Sequence, residues 1–220
     1  MSKNTFSLLV LAGALAAAPS PASAVSISNG DFEAVQISFN SNNPADFPGW
    51  THTGSQGDAL LWSTGYFDGG GVAHAGQGRQ FVTMGGGFNQ APGTSVWSNT
   101  ITGLNTGQTY TLSFIIAHEA DFSGAQTVNV SLGGGPSVGF TTTSNDPIHY
   151  WDAWEKESLQ FIATGASEGV SFSATTSFDV GLDNVQVAAS GVPELSNWAM
   201  MIMGFGLIGV RLRRRGITAA

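Results

Sequence analysis

The clearest pattern along this chain is alternation. In "TYTLSFIIA", Tyr110, Leu112, Phe114 and Ile116 are apolar and the residues between the first three are Thr or Ser, so one face is oily and the other polar, the period-2 signature of a half-buried strand. Similar short runs rich in Val, Ile, Thr and Phe follow one another: "RQFVTM", "SVWSNTI", "QTVNVSL", "SVGFTTT", "ESLQFIA", "GVSFSAT" and "VGLDNVQVA". Gly, Asn, Asp and Pro clusters separate them, with "LNTGQTY" a turn leading into a strand. The triple glycines Gly69–Gly71, Gly85–Gly87 and Gly133–Gly135 read as loops or bulges. Between Val25 and Gly191 no 3.6-residue periodicity emerges, and turns recur at the intervals of a β-sandwich. The expected fold is therefore all-β.

Both ends break the pattern. Residues 1–24 carry one Lys, an apolar run from Phe6 to Ala18 and a small-x-small finish at Ala22-Ser23-Ala24, the grammar of a secretory signal peptide cleaved after Ala24. At the other end, Leu195 to Val210 is uncharged and is followed by Arg211, Arg213, Arg214 and Arg215. Sixteen residues in a helix span about 24 Å, short of the ~30 Å hydrocarbon core of a bilayer. Such a segment suits a marginal or temporary membrane stop, with Trp198 at the outer interface and the arginines left in the cytoplasm. The expected organisation is a signal peptide over 1–24, one β-sandwich domain over 25–191 and a C-terminal hydrophobic signal over 192–216.

Charge narrows the partners. The chain has 15 acidic and 7 basic residues; Glu194, Lys3, Arg211 and Arg213 to Arg215 belong to the ends, which leaves the domain 14 acidic and 2 basic residues, Arg79 and Lys156, a formal net of −12. Such a surface repels nucleic acid and anionic lipid and suits cations or neutral polymers such as polysaccharide. There is no cysteine, so a secreted domain of this kind depends on its core or on a metal.

No catalytic constellation stands out. "GPSVG" (Gly135 to Gly139) and "GASEG" (Gly165 to Gly169) match the nucleophile-elbow pattern, but that elbow needs a strand before and a helix after it, and both matches fall between strands. His52, His74, His118 and His149 occur singly, and "HEAD" (His118 to Asp121) offers at most a surface metal site. Glu155 and Glu157 would share one face of a strand, with Asp152 before them, whereas glycosidases need carboxyls across a cleft. For a ligand surface, Trp62, Tyr66 and Trp151 are expected on loops, where aromatic faces meet sugar rings; Trp50, Trp97 and Trp154 sit where a core would want them.

Two resemblances extend this reading. "SNGDFE" (Ser28 to Glu33), "PGW" (Pro48 to Trp50), "GQGRQFVTM", "NTGQTYTLSF", "FIATGASEGVSF" and "GLDNVQV" (Gly181 to Val187) together resemble the galactose-binding-domain-like jelly rolls common among carbohydrate-binding modules and exported surface proteins. That resemblance implies that the two ends of the domain meet in adjacent strands around a structural Ca²⁺ ion. Glu33 and Asp183 would give carboxylates, Asp31 a backbone carbonyl, and a loop near His74 to Gly78 further oxygens. The alternative is that Glu33 and Asp183 only bond loop backbone. The tail resembles the PEP-CTERM sorting signal in its PEPxxWA variety through Val192, Pro193, Glu194, Trp198, Ala199, Met200, Met201, Arg213, Arg214 and Arg215, with Leu195 where the second Pro usually stands. It implies processing by an exosortase near Pro193-Glu194 in a Gram-negative bacterium that makes exopolysaccharide. The combined expectation is a non-enzymatic protein, exported across the inner membrane to the cell envelope or matrix, held transiently in the membrane by its tail and interacting with exopolysaccharide in a biofilm. The alternatives are a secreted carbohydrate- or ester-active hydrolase and a purely structural matrix protein. If the tail is a sorting signal, mass spectrometry of the exported protein from its host will show everything from about Glu194 onward missing. Intact Arg213 to Arg215 in that material would refute it.

Overall fold

The computed structural model describes residues 24–54, 61–65, 72–85, 95–119, 125–143, 151, 153–174 and 179–190. Residues 1–23 and 192–216 of the expected end segments, Tyr66, Asp152, His149 and the glycines at 69–71 lie outside the described residues. Eleven strands are described: β1 (Ser26–Ile27), β2 (Thr51–Gly54), β3 (Leu61–Ser63), β4 (Gln80–Met84), β5 (Ser95–Thr102), β6 (Thr109–His118), β7 (Thr127–Leu132), β8 (Val138–Thr141), β9 (Glu155–Ile162), β10 (Ser167–Ala174) and β11 (Val180–Ala189). All eight runs identified from alternation are strands. The only other regular element described is a 3₁₀ turn at Pro44–Asp46, with the Asn43 side chain accepting from Ala45 N.

The strands form two antiparallel sheets in a jelly-roll sandwich. Sheet A runs β1-β5-β10-β7-β8 with β2 also paired to β5, and sheet B runs β3-β4-β11-β6-β9. Strands distant in sequence pair in the middle of each sheet, β5 with β10 and β6 with β11. The alternation read from β6 places Tyr110, Leu112, Phe114 and Ile116 inward, all buried. They meet Val128, Val130, Val170 and Phe172 from the facing sheet in one core. Each such side chain taken from water contributes about 1.5–3 kcal/mol.

Aromatic rings fill one end of that core. Trp97 packs edge-on to Phe47 at 4.9 Å between centroids, and Phe32 lies 5.0 Å from Trp50. Each indole N–H finds a carbonyl, Trp97 to Thr83 O and Trp50 to Asn29 O, both at 2.8 Å. Trp50 and Trp97 are thus core residues, as expected. The turn "LNTGQTY" closes with Gly107 at φ +83° and the Tyr110 hydroxyl accepting from Asn105 N at 2.9 Å.

One expectation about topology is corrected. The N-terminal motif does not enter a strand beside the last one: β1 pairs with β5 in sheet A, while β11 lies in sheet B. The ends still meet, because β11 is interrupted between Asp183 and Gln186 by a bulge that frees Val185 N to donate to Gly30 O at 2.7 Å. The approach is so close that a Cβ on Gly30 would overlap the Val185 carbonyl.

Candidate functional site

Three regions carry polar chemistry. The first is where the chain ends meet. Asp183 stands at the bulge of β11, fully buried. Its Oδ2 accepts from Gln77 N at 2.7 Å and its Oδ1 from Asn184 N at 2.6 Å. Glu33 follows β1 in a loop, where its Oε1 accepts from Arg79 N at 2.5 Å and Gln80 N at 2.8 Å, and its Oε2 from Gln36 Nε2 at 2.7 Å. Both carboxylates therefore hold the loop Gln77–Gln80, which is the alternative weighed for them above. Gly78, at φ +68°, is required here: a Cβ would sit 2.8 Å from the Glu33 carboxyl carbon.

The electrostatics of this cluster are unbalanced. Burial, with repulsion from Glu33 and Asp31, pushes the Asp183 carboxyl up to about 8, against the pull of its two backbone hydrogen bonds. Among the described residues, none of the hydrogen bonds to Glu33 or Asp183 comes from a cationic group. Two carboxylates and a third within electrostatic reach, with no cation among their partners, are a donor set that fits a hard divalent ion such as Ca²⁺. Among the described residues no three His, Cys, Asp or Glu side chains form a metal cluster, so an ion here would depend on backbone carbonyls as well. Backbone strain gathers at the same place. Asn29, Phe32 and Asn184 have φ of +50°, +58° and +51°, and Trp151 is the other non-glycine residue in that region among those described.

Gln80 is the residue that sequence reasoning missed. It is wholly buried, donates from Nε2 to Phe32 O and Val35 O at 2.8 Å each, and accepts from Ile37 N at 2.6 Å. It ties the Phe32–Ile37 loop to β4. Only its position as a polar residue opening an apolar strand, "QFVTM", hints at this.

The second region overturns the expected sugar platform. Trp62 is 3% exposed and Trp151 is 0% exposed, so neither offers a ring to solvent. With Ala73, Phe81 and Ala117 they form a second apolar cluster, separate from the main core. Trp62, Phe81 and Ala117 come from β3, β4 and β6 of sheet B, and the Trp151 ring lies tilted against Phe81 at 5.3 Å and Trp62 at 6.4 Å between centroids. Trp154 is partly buried against them, its Nε1 shared between His74 O at 3.0 Å and Trp151 O at 2.8 Å. Glycine makes the approach possible: a Cβ on Gly181 would lie 2.8 Å from Trp154 and 3.0 Å from Trp151. The indoles cover sheet B instead of facing a ligand.

The third region is the outer face of sheet A. Alternation in β5, β10 and β7 sends Trp97, Ile101, Val170, Phe172, Val128 and Val130 inward and leaves Ser98, Thr100, Thr102, Ser171, Ser173, Thr127, Asn129 and Ser131 outward, with Val96 the one larger apolar side chain among them. Registers align these into rows across the sheet, one of them Thr51–Ser98–Ser171–Ser131. At the far edge the Thr127 and Thr141 hydroxyls hydrogen-bond at 2.8 Å. The only charged residue in the strands of this sheet is Glu168, 8% exposed, turned back to Thr164 N and Oγ1.

Other candidates fall into place. Glu155 and Glu157 share one face of β9 as expected. Glu155 accepts from Thr143 N and Oγ1 at 2.7 Å each, and burial followed by the Glu155 charge raises the Glu157 carboxyl. Two carboxyls side by side on one strand do not straddle a bond to be cleaved. "GPSVG" and "GASEG" both lie in turns leading into strands. His118 is 3% exposed, not a surface ligand.

No family model matches the chain, and no curated protein does. Solved structures similar in backbone course include TmCBM61 in complex with β-1,4-galactotriose, at 18% identity over 74% of this chain and 97% of that one, TM-score 0.43. The sugar-binding protein EclA, in its C-terminal domain, matches at 21% identity over 49% and 76%, TM-score 0.40. The exo-β-1,3-galactanase of Phanerochaete chrysosporium matches at 17% identity over 70% of this chain, TM-score 0.42; the match spans 30% of that protein.

Proposed function

We propose that this chain is an exported, non-catalytic glycan-binding protein whose contact surface is the outer face of sheet A. The observation that carries the reading is an uncharged plane made mostly of hydroxyls, with the Asn129 amide, on a domain with a formal net of −12. A neutral polysaccharide presents hydroxyls, and Ser, Thr and Asn side chains both donate and accept toward them. Short side chains on paired strands, about 4.8 Å apart, lose little freedom on binding, so many weak hydrogen bonds can add up. A polyanion would find no cationic side chain in the strands of this sheet to pair with. The same reading takes residues 1–24 as the export signal and 192–216 as the sorting signal that an exosortase removes, leaving the domain in the envelope or matrix of a polysaccharide-producing cell. In it, Glu33, Asp183 and the Asp31 carbonyl hold a structural Ca²⁺.

The test is sedimentation of the full chain with the host's insoluble exopolysaccharide. Placing two charges mid-row, Ser98→Glu with Ser171→Glu, is expected to weaken binding at least tenfold, about 1.4 kcal/mol. The melting temperature should stay within a few degrees, because both positions face outward. Undiminished binding by the double variant would remove sheet A as the contact surface.

A further inference from the structure

The opposite face of the sandwich carries a groove that the reading above does not use. It crosses β11, β6 and β9 on the outer side of sheet B, with a volume of about 260 Å³, below the ~300 Å³ at which pockets for drug-sized ligands begin. Register builds its floor. Ser113 pairs with Ser158 on one side and Gln186 on the other, so two short hydroxyls lie beside one longer amide in a row that ends at the edge strand β9. Asn184 at the bulge closes one flank. Ile115 and Lys156 form the next row, and Ile115 runs under Gly76 beside Trp154: a Cβ on Gly76 would fall 2.6 Å from the Trp154 ring and overlap the Ile115 side chain. The groove thus has a polar floor, an apolar end at Ile115 and one cation.

That cation decides the ligand. Lys156 is one of only two basic residues between positions 25 and 191, is exposed, and forms no ion pair among the described residues. Its sequence neighbour Glu157 also borders the groove, between Lys156 and Ser158, but alternation along β9 turns the Glu155 and Glu157 side chains to the other face, where Glu155 is engaged by Thr143.

We infer that this groove binds one carboxylate-bearing sugar residue, with Lys156 on the carboxylate and Ser113, Ser158, Asn184 and Gln186 on the hydroxyls. The inference rests on the glycan-binding reading and extends it. With a neutral glycan on sheet A and an acidic one on sheet B, a single chain would bridge two polysaccharide strands from opposite faces of one sandwich.

Titration calorimetry of the full chain against trigalacturonate and against uncharged galactotriose tests it. Trigalacturonate binding is expected to weaken as salt rises and to drop at least tenfold in Lys156→Met, which keeps the aliphatic stem and removes the charge. Ser113→Tyr, which fills the floor, should abolish it as well. Neither change should alter sedimentation with neutral exopolysaccharide, and the Ser98→Glu/Ser171→Glu pair should leave trigalacturonate binding intact. Equal affinity of the Lys156→Met chain and the parent for trigalacturonate would overturn the groove. So would no binding of trigalacturonate by a parent chain that still sediments with neutral polysaccharide, and in that case the sheet A reading survives. Lys156-dependent binding without any neutral binding would have the opposite meaning, upholding the groove and removing sheet A.

Discussion

Trp151→Ala is expected to destabilise the domain by about 3–5 kcal/mol, the range for removing a large buried aromatic side chain. For a domain of this size that corresponds to a fall in melting temperature of roughly 6–20 °C. Trp151 is wholly buried, in ring contact with Phe81 and Trp62, and its own carbonyl accepts from the Trp154 indole. Removing the ring leaves a cavity bounded by Gly181, which has no side chain to fill it. The neighbouring segments cannot collapse into the space cheaply, because His74 and Trp151 are both pinned to Trp154. Thermal unfolding followed by near-ultraviolet circular dichroism checks this. The folded fraction of the variant should still sediment with neutral polysaccharide, since the cluster lies on sheet B and the proposed contact surface on sheet A. A shift of two degrees or less would mean that the indole is dispensable to packing.

That contrast shows what the sequence can and cannot convey. Period-2 alternation revealed eight strands: seven have five to ten residues, and the four-residue β8 showed through the longer run "SVGFTTT" around it. β1, β2 and β3 have two to four residues, too few for a period, and "THTG" lacks an apolar face altogether. Trp62 and Trp151 were expected on the surface because local sequence marks their surroundings as loops. Their burial depends on segments far apart in the chain folding over the same sheet, with Gly181 allowing close approach. The hydroxyl face of sheet A was half visible. Ser and Thr alternate with apolar residues in "SVWSNTIT", "GVSFSA" and "TVNVSL", yet nothing local says that these strands are neighbours. The proximity of Glu33 and Asp183 came from resemblance. What they grip, the backbone of Gln77 to Gln80, did not.

Without divalent cations, the stability of this domain is expected to fall as pH rises from about 4 to about 8, and Asp183 is the cause. The sign follows from its two protonation equilibria. In the unfolded chain Asp183 titrates near 3.8, and in the fold near 8. Below the lower value both states are protonated and the group contributes nothing. Between the two, the folded state binds more protons than the unfolded one, so every unit of pH costs up to about 1.4 kcal/mol. Above the upper value the penalty is complete and level. Asp183→Asn should flatten this slope, although its amide can satisfy only one of the two N–H donors that the carboxylate accepts, from Gln77 and Asn184, so the variant starts from lower stability in acid. Calcium should reverse the trend. An ion held by Glu33 and Asp183 needs both carboxylates charged, so its affinity rises over the same pH range. At a hundredfold excess over Kd it adds about 2.7 kcal/mol. Melting curves of the full chain at pH 5 and pH 8.5, with calcium and with chelator, separate the effects. The calcium-dependent gain should be larger at pH 8.5 and vanish in Asp183→Asn. A gain that is equal at both pH values, or that survives in the variant, would place any calcium elsewhere. A chelator-treated parent chain no less stable at pH 8.5 than at pH 5 would show that Asp183 is ionised at little cost in the fold, with Gln77 and Asn184 enough to hold its charge.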